Sequence, residues 1–172
     1  PNITPAAGSP AITQAGYEAS FRVIADDRAQ MQKLIADAAS RLGVKRLAII
    51  DDGSAYGQLL MEWLQEAAVN NEDVDVVATL PLNAAPVIAG KPQEPDFGPS
   101  LRALNALKGK HKPDAVFFAG LDTQTASLLT QLGVAAKTMP ALAQLKLLGG
   151  DAMCTNRLPE LAGKQPLLKN IR

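Results

Sequence analysis

The chain has 172 residues, 47% of them hydrophobic and 20% charged, which fits one domain able to bury a core without disulfides or metals. Lysine plus arginine and aspartate plus glutamate number 17 each, and this zero net charge argues against nucleic acid as a partner, whose binders carry a basic excess or patch. The apolar runs are far too short to span a bilayer, and the single cysteine, Cys154, admits no internal disulfide.

Pro1 to Gly16 is rich in small residues and proline, has no helical period, and reads as an extended loop. Phe21 to Ile24 is a predicted short strand. Asp26 or Asp27 then caps a helix whose apolar residues Met31, Leu34, Ile35, Ala38 and Leu42 recur in steps of three and four, and Gly43 stands at its stop. Leu47 to Ile50 is the next strand. Asp51 to Ser54 forms a tight turn, and Tyr56-Gly57 opens a helix carrying Leu59, Leu60, Trp63, Leu64 and Ala67. Val74 to Leu80 is β-rich, and Asn83 to Pro95 is an insertion expected to be a surface loop. Asp96 caps a helix with Leu101, Leu104 and Leu107, followed by a basic turn from Lys108 to Pro113.

Ala115 to Ala119 (AVFFA) is a continuous apolar run, the pattern of a strand buried on both faces. Asp122 or Thr123 caps a helix with Ala126, Leu129 and Leu132. Leu145 to Leu148 is another strand, ending in Gly149-Gly150-Asp151, and Leu158 to Ala162 is a short helical turn. The alternation defines an α/β fold, an open and mostly parallel sheet with helices on both faces. Right-handed crossovers bring the turns after Ile50, Ala119 and Leu148 to one rim, where such sheets bind ligands.

That rim gathers Asp51, Asp52, Ser54, Tyr56, Asp122, Thr123, Asp151 and Thr155. Asp, Ser and Thr are also the preferred N-caps of the helices that follow strands, so each has a structural reason to be there. Tyr56 is no cap residue. Asp151 follows two glycines, which let the backbone approach a ligand closely, and its carboxylate suits a cation such as a ligand ammonium group.

No dinucleotide or phosphate-loop glycine pattern is present, no G-x-S-x-G elbow exists, and no cofactor is expected. His111, the single histidine, lies between Lys110 and Lys112 in a polar turn and reads as solvated surface. One histidine and one cysteine do not make a zinc site of the usual kind. Asp51, Asp52 and Asp151 suit Mg²⁺, which keeps a metal-dependent phosphotransfer or hydrolase domain as an alternative.

Four ordered segments carry a resemblance: ITPAAGSPAIT (Ile3 to Thr13) with GYEASFRV (Gly16 to Val23); RLAIIDDGSAYG (Arg46 to Gly57); Asp96-Phe97 with KPDAVFFAG (Lys112 to Gly120); and LLGGDAM (Leu147 to Met153) with LAG (Leu161 to Gly163). Together they resemble the extracytoplasmic substrate-binding proteins of branched-chain amino acid ABC transporters, in the type I periplasmic binding protein superfamily. The resemblance implies two Rossmann-like lobes joined by a hinge, with solute trapped between them and no catalysis. Residues 1–20 would be a cleft loop and hinge-proximal segment from the first lobe, and 21–172 an incomplete second lobe. Pro1 in place of Met agrees with a piece of a longer protein whose signal peptide is not in this chain.

The resemblance also implies ligand-binding positions. The loop Ala6-Ala7-Gly8 would contact the α-ammonium and α-carboxylate of an amino acid, with Gly8 standing where a Thr or Ser is usual. Tyr56 would line the cleft, Leu121 would stand where relatives often have a pocket-shaping Tyr, and Asp151 would pair with the ammonium. The implied partners are an amino acid or analogue and the transporter's membrane permease, in a periplasmic or extracytoplasmic location. A lobe without its partner would also expose surface for self-association. An effector domain of a sugar-responsive regulator or receptor on the same superfold is a further alternative.

Overall fold

The computed structural model describes residues 2–16, 18–82 and 94–163. In chain order the elements are β1 (Asn2–Thr4), α1 (Ala11–Gln14), β2 (Ser20–Arg22), α2 (Asp27–Ser40), β3 (Arg46–Asp51), α3 (Ala55–Val69), β4 (Asp75–Pro81), α4 (Gly98–Ala106), β5 (Ala115–Ala119), α5 (Asp122–Ala135), β6 (Lys146–Gly149) and α6 (Leu158–Ala162). Four strands form a parallel sheet in the order β4-β3-β5-β6, so the chain leaves β3 toward one edge and returns on its other side as β5. Such a reversal of strand order opens a crevice at the carboxyl ends of the strands.

Side chains alternate across the strands, and both faces are covered. Ala48, Ile50, Val116, Phe118 and Leu147 pack into one layer with Leu101 and Leu104 of α4, Leu128, Leu129 and Leu132 of α5, and Leu158 and Ala162 of α6. Leu47, Ile49, Ala115, Phe117, Ala119 and Leu148 pack into the other with Met31 and Ile35 of α2 and Leu60 and Leu64 of α3. Burial on both faces is why β3 and β5 read as unbroken apolar runs.

The N-terminal segment differs from the expected loop. β1 pairs in parallel with β2 in a separate two-stranded sheet, matching Asn2 with Ser20 and Thr4 with Arg22, and α1 follows Pro10, whose fixed φ suits a helix start. Strands of three residues carry too little alternation to be read, and β2 sits one to two residues before its predicted place. The insertion predicted from Asn83 to Pro95 lies outside the described residues except for Glu94 and Pro95.

Asp26 caps α2 by accepting the Ala29 N–H at 2.7 Å, and Gly43 ends the following turn with φ of 63°. Asp96 stands one residue before the α4 cap, Phe97, and accepts the Gly98 N–H. Neither Asp122 nor Thr123 caps α5. The cap is Leu121, whose own N–H is taken by the Gln124 side chain at 2.9 Å. Among the described residues, no helix is long and apolar enough to cross a membrane.

The amino ends of β3 and β5 are tied by Asp114. Its carboxylate accepts the Lys45 and Arg46 N–H groups at 3.2 and 3.0 Å and pairs with the Arg46 guanidinium at 2.6 Å. Burial pushes this carboxyl up, but the Arg46 side chain and the two N–H groups outweigh it and hold it below the ordinary 3.8. A depressed folded-state value means stability that is full above the unfolded value and lost as pH falls through the folded one. Asp114→Ala is expected to cost about 2 kcal/mol at pH 7, from charge-assisted hydrogen bonds partly open to solvent. In urea titrations the gap to wild type should narrow as the pH falls below 3.8 and close once it is under the depressed folded-state value.

Candidate functional site

The turn after β3 consumes its own carboxylates. Asp51 Oδ1 accepts the Gly53 N–H at 2.9 Å, and Asp52 Oδ1 accepts the Ser54 N–H at 2.9 Å and its hydroxyl at 2.6 Å. Ser54 Oγ in turn accepts the Gly57 N–H at 3.0 Å and caps α3. Gly57 is required for close approach: a Cβ there would lie 2.7 Å from the Ala119 carbonyl oxygen at the end of β5. That contact lets the first turn of α3 sit on the sheet's rim and places Tyr56 there.

The half-buried Tyr56 donates its hydroxyl to Asp151 Oδ1 at 3.2 Å, joining β3's rim to β6's across β5. Burial first, and then the Asp151 carboxylate beside it, push the phenol well above its ordinary value, so Tyr56 stays a proton donor. Asp151 opens a short 3₁₀ turn, Asp151–Met153, and is exposed. Beneath it Gly150 is closely surrounded, since a Cβ there would lie 3.2 Å from Leu60 Cδ1, 3.4 Å from the Tyr56 hydroxyl and 3.7 Å from Gln30 Oε1.

The N-terminal loop is pinned to the same rim. Ala7 donates its N–H to Thr4 Oγ1 at 3.0 Å, so that group already has a partner, while Ala6 is exposed. The Gly8 carbonyl accepts the Asp27 N–H at 2.9 Å, and Arg22 reaches the Ser9 carbonyl at 2.8 Å and Asp26 at 3.1 Å. Leu121 is half exposed at the end of β5. Asp122 is buried and accepts the Thr155 hydroxyl at 2.8 Å, which fixes the segment after Asp151 to α5; Thr123 is exposed. His111 and the free thiol of Cys154 are both exposed. Among the described residues, no three His, Cys, Asp or Glu side chains are grouped to share a metal ion.

Sequence reasoning missed Asp27 as a site residue. It is only 7% exposed, at the first position of α2, and lines the same groove as Gln30, Gly149 and Asp151. That groove, of about 730 Å³, runs between α2 and the edge of β6 over Leu34, Ala38, Leu42 and Leu148. Burial first, and then Asp151 and Asp26, push the Asp27 carboxyl above its ordinary range, with Arg22 opposing. The signal available in the sequence was a second acidic residue directly after Asp26, which already suffices as the cap.

The fold thus places a polar rim at the carboxyl edge of a parallel sheet, beside a separate two-stranded ribbon. The family described as periplasmic binding protein matches residues 1–154, and the chain belongs to it. Its fold is similar to a solute-binding protein of an ABC transporter from Rhodopseudomonas palustris in complex with 3,4-dihydroxybenzoic acid, at 22% identity and a TM-score of 0.67 over 96% of this chain and 40% of that one. It is also similar to a leucine-binding protein from Thermotoga maritima, at 21% identity and a TM-score of 0.65 over 96% of this chain and 41% of that one. A branched-chain amino acid transporter substrate-binding protein from Streptococcus pneumoniae, in complex with isoleucine, gives 21% identity and a TM-score of 0.67 over 94% of this chain and 40% of that one. This chain thus spans about 40% of the length of these structures. No curated protein matches it.

Proposed function

We propose that this chain supplies one side of the cleft of an extracytoplasmic solute-binding protein serving an ABC transporter permease, and that it captures a branched-chain or related amino acid without catalysis. The observation that carries this reading is the Tyr56–Asp151 pair. A phenol held protonated orients a carboxylate whose remaining surface is open at the ligand-binding edge of the sheet. A carboxylate in that position is complementary to a ligand ammonium and repels a simple anionic acid, which favours an amino acid over a benzoate. In this reading residues 1–20 bring a cleft loop and a hinge-proximal strand, and 21–172 form most of the second lobe. β1 and β2 then mark the hinge about which the lobes close.

The enzyme alternative draws less support, because Asp51 and Asp52 are occupied by the N–H and hydroxyl groups of their own turn. Calorimetry on the full-length protein tests the proposal. Leucine, isoleucine or valine is expected to bind at micromolar concentrations, 3,4-dihydroxybenzoate to bind far more weakly, and the 172-residue chain alone to lose most of the affinity because half the cleft contacts are absent. Tighter binding of the benzoate, or full affinity in the isolated chain, would defeat it.

A further inference from the structure

Asp27 is 7% exposed, and its side chain, which lines the groove, has no hydrogen-bond donor among the described residues. The capping work at the start of α2 is done by Asp26, and Arg22 is engaged by Asp26 and by the Ser9 carbonyl. Lys33 and Arg41, which line the same groove, pair with Asp37 further along α2. Next to it, Gln30 Oε1 is fully buried and also has no donor. The end of the groove at the rim therefore gathers two carboxylates, Asp27 and Asp151, beside the Gln30 amide, with Asp151 holding one hydroxyl from Tyr56. Neighbouring carboxylates repel one another, so a cluster of this kind is completed by a group that brings N–H donors and positive charge.

Gly8 is what admits Asp27. A Cβ on Gly8 would overlap the Asp27 carboxylate, so a side chain at position 8 would make that carboxylate turn away from its present place. The hydroxyl that the resemblance places at position 8 is replaced here by the space for a carboxylate. At Asp27 the carboxylates of Asp151 and Asp26 add to one another, and Arg22 opposes them. A zwitterion leaves that imbalance standing, because its own carboxylate cancels its ammonium.

We infer that Asp27 and Asp151 together form a two-carboxylate anchor, opened by Gly8, that selects solutes with a net positive charge at the anchored end, such as amines, over the corresponding zwitterionic amino acids. The inference rests on the solute-binding reading and moves the preferred ligand from amino acids to the related amines.

The test uses the full-length protein with matched probes that differ only by a carboxylate: isopentylamine against L-leucine, and cadaverine against L-lysine. Calorimetry should show the amine of at least one pair binding about tenfold or more tighter than its amino acid, roughly 1.4 kcal/mol. Asp27→Asn should abolish that preference, and Gly8→Ser, which displaces the carboxylate without removing it, should do the same. Without any ligand, Asp27→Asn should melt above wild type, since it removes a buried charge that folding disfavours, and this establishes that the variant folds. Amino acids binding as well as amines in wild type, with the ratio unmoved in both variants, would overturn the inference and leave the solute-binding reading intact. Failure of every probe to bind wild type would overturn both.

Discussion

Replacing Asp151 with alanine in the full-length protein is expected to abolish amino acid binding. On the proposed reading the ligand ammonium is out of water in the closed cleft, and removing its counter-charge would leave a buried unpaired cation. Breaking a buried pair in this way costs about 3–5 kcal/mol, which is roughly 10² to 10³·⁵ in dissociation constant. The fold should not suffer, because Asp151 is exposed and its one side-chain hydrogen bond is the Tyr56 hydroxyl. Tyr56→Phe separates orientation from charge. It removes a single hydroxyl donor and keeps the ring, so a loss of about tenfold is expected, in line with a hydrogen bond to a charged group. Calorimetry on both variants decides the matter. Unchanged affinity in Asp151→Ala would remove this residue from the site, and a larger loss in Tyr56→Phe than in Asp151→Ala would invert the assigned roles.

The largest expected effect on stability comes from Phe118→Ala. Phe118 is fully buried in the middle of β5 and meets Phe97 edge to face, with ring centroids 5.5 Å apart at 76°. Phe97 is held from behind, because its N–H is bound to the Gln131 side chain at 2.8 Å, so it has little freedom to collapse into a cavity. Phe-to-Ala changes in such cores cost about 3–5 kcal/mol. For a chain of this size that is a fall in melting temperature of roughly 6–20 °C. Phe118 packs in the α4–α5 layer, whereas Tyr56 packs in the α2–α3 layer. Ligand affinity measured well below the melting temperature should therefore hold in Phe118→Ala. A loss below about 1 kcal/mol in urea unfolding would contradict the rigid packing described for this pair.

Much of the architecture was legible because it is written in local periodicity. AVFFA at Ala115–Ala119 is a strand at its predicted residues, since burial on both faces leaves no polar position in it. α2 and α3 follow from apolar steps of three and four, and their caps Asp26 and Ser54 and the stop at Gly43 are local hydrogen-bonding and φ requirements. Where the pattern is short, reading failed. β1 and β2 are three residues each and are defined by pairing across 18 positions, which no local window contains. The α5 cap went to Leu121 because Gln124 reached back to its N–H, while Asp122 was drawn inward to Thr155.

The sequence by itself determined a parallel α/β fold with Tyr56 and Asp151 at strand ends on a common rim, because strand and helix periods and crossover handedness are enough to specify which ends meet; the family came from the resemblance of four ordered segments. Only the tertiary structure decided that Asp27 is a nearly buried residue whose carboxylate lies where a side chain on Gly8 would be. Two residues 19 positions apart exclude or admit one another through volume and charge at a single point in space, and that relation has no period along the chain.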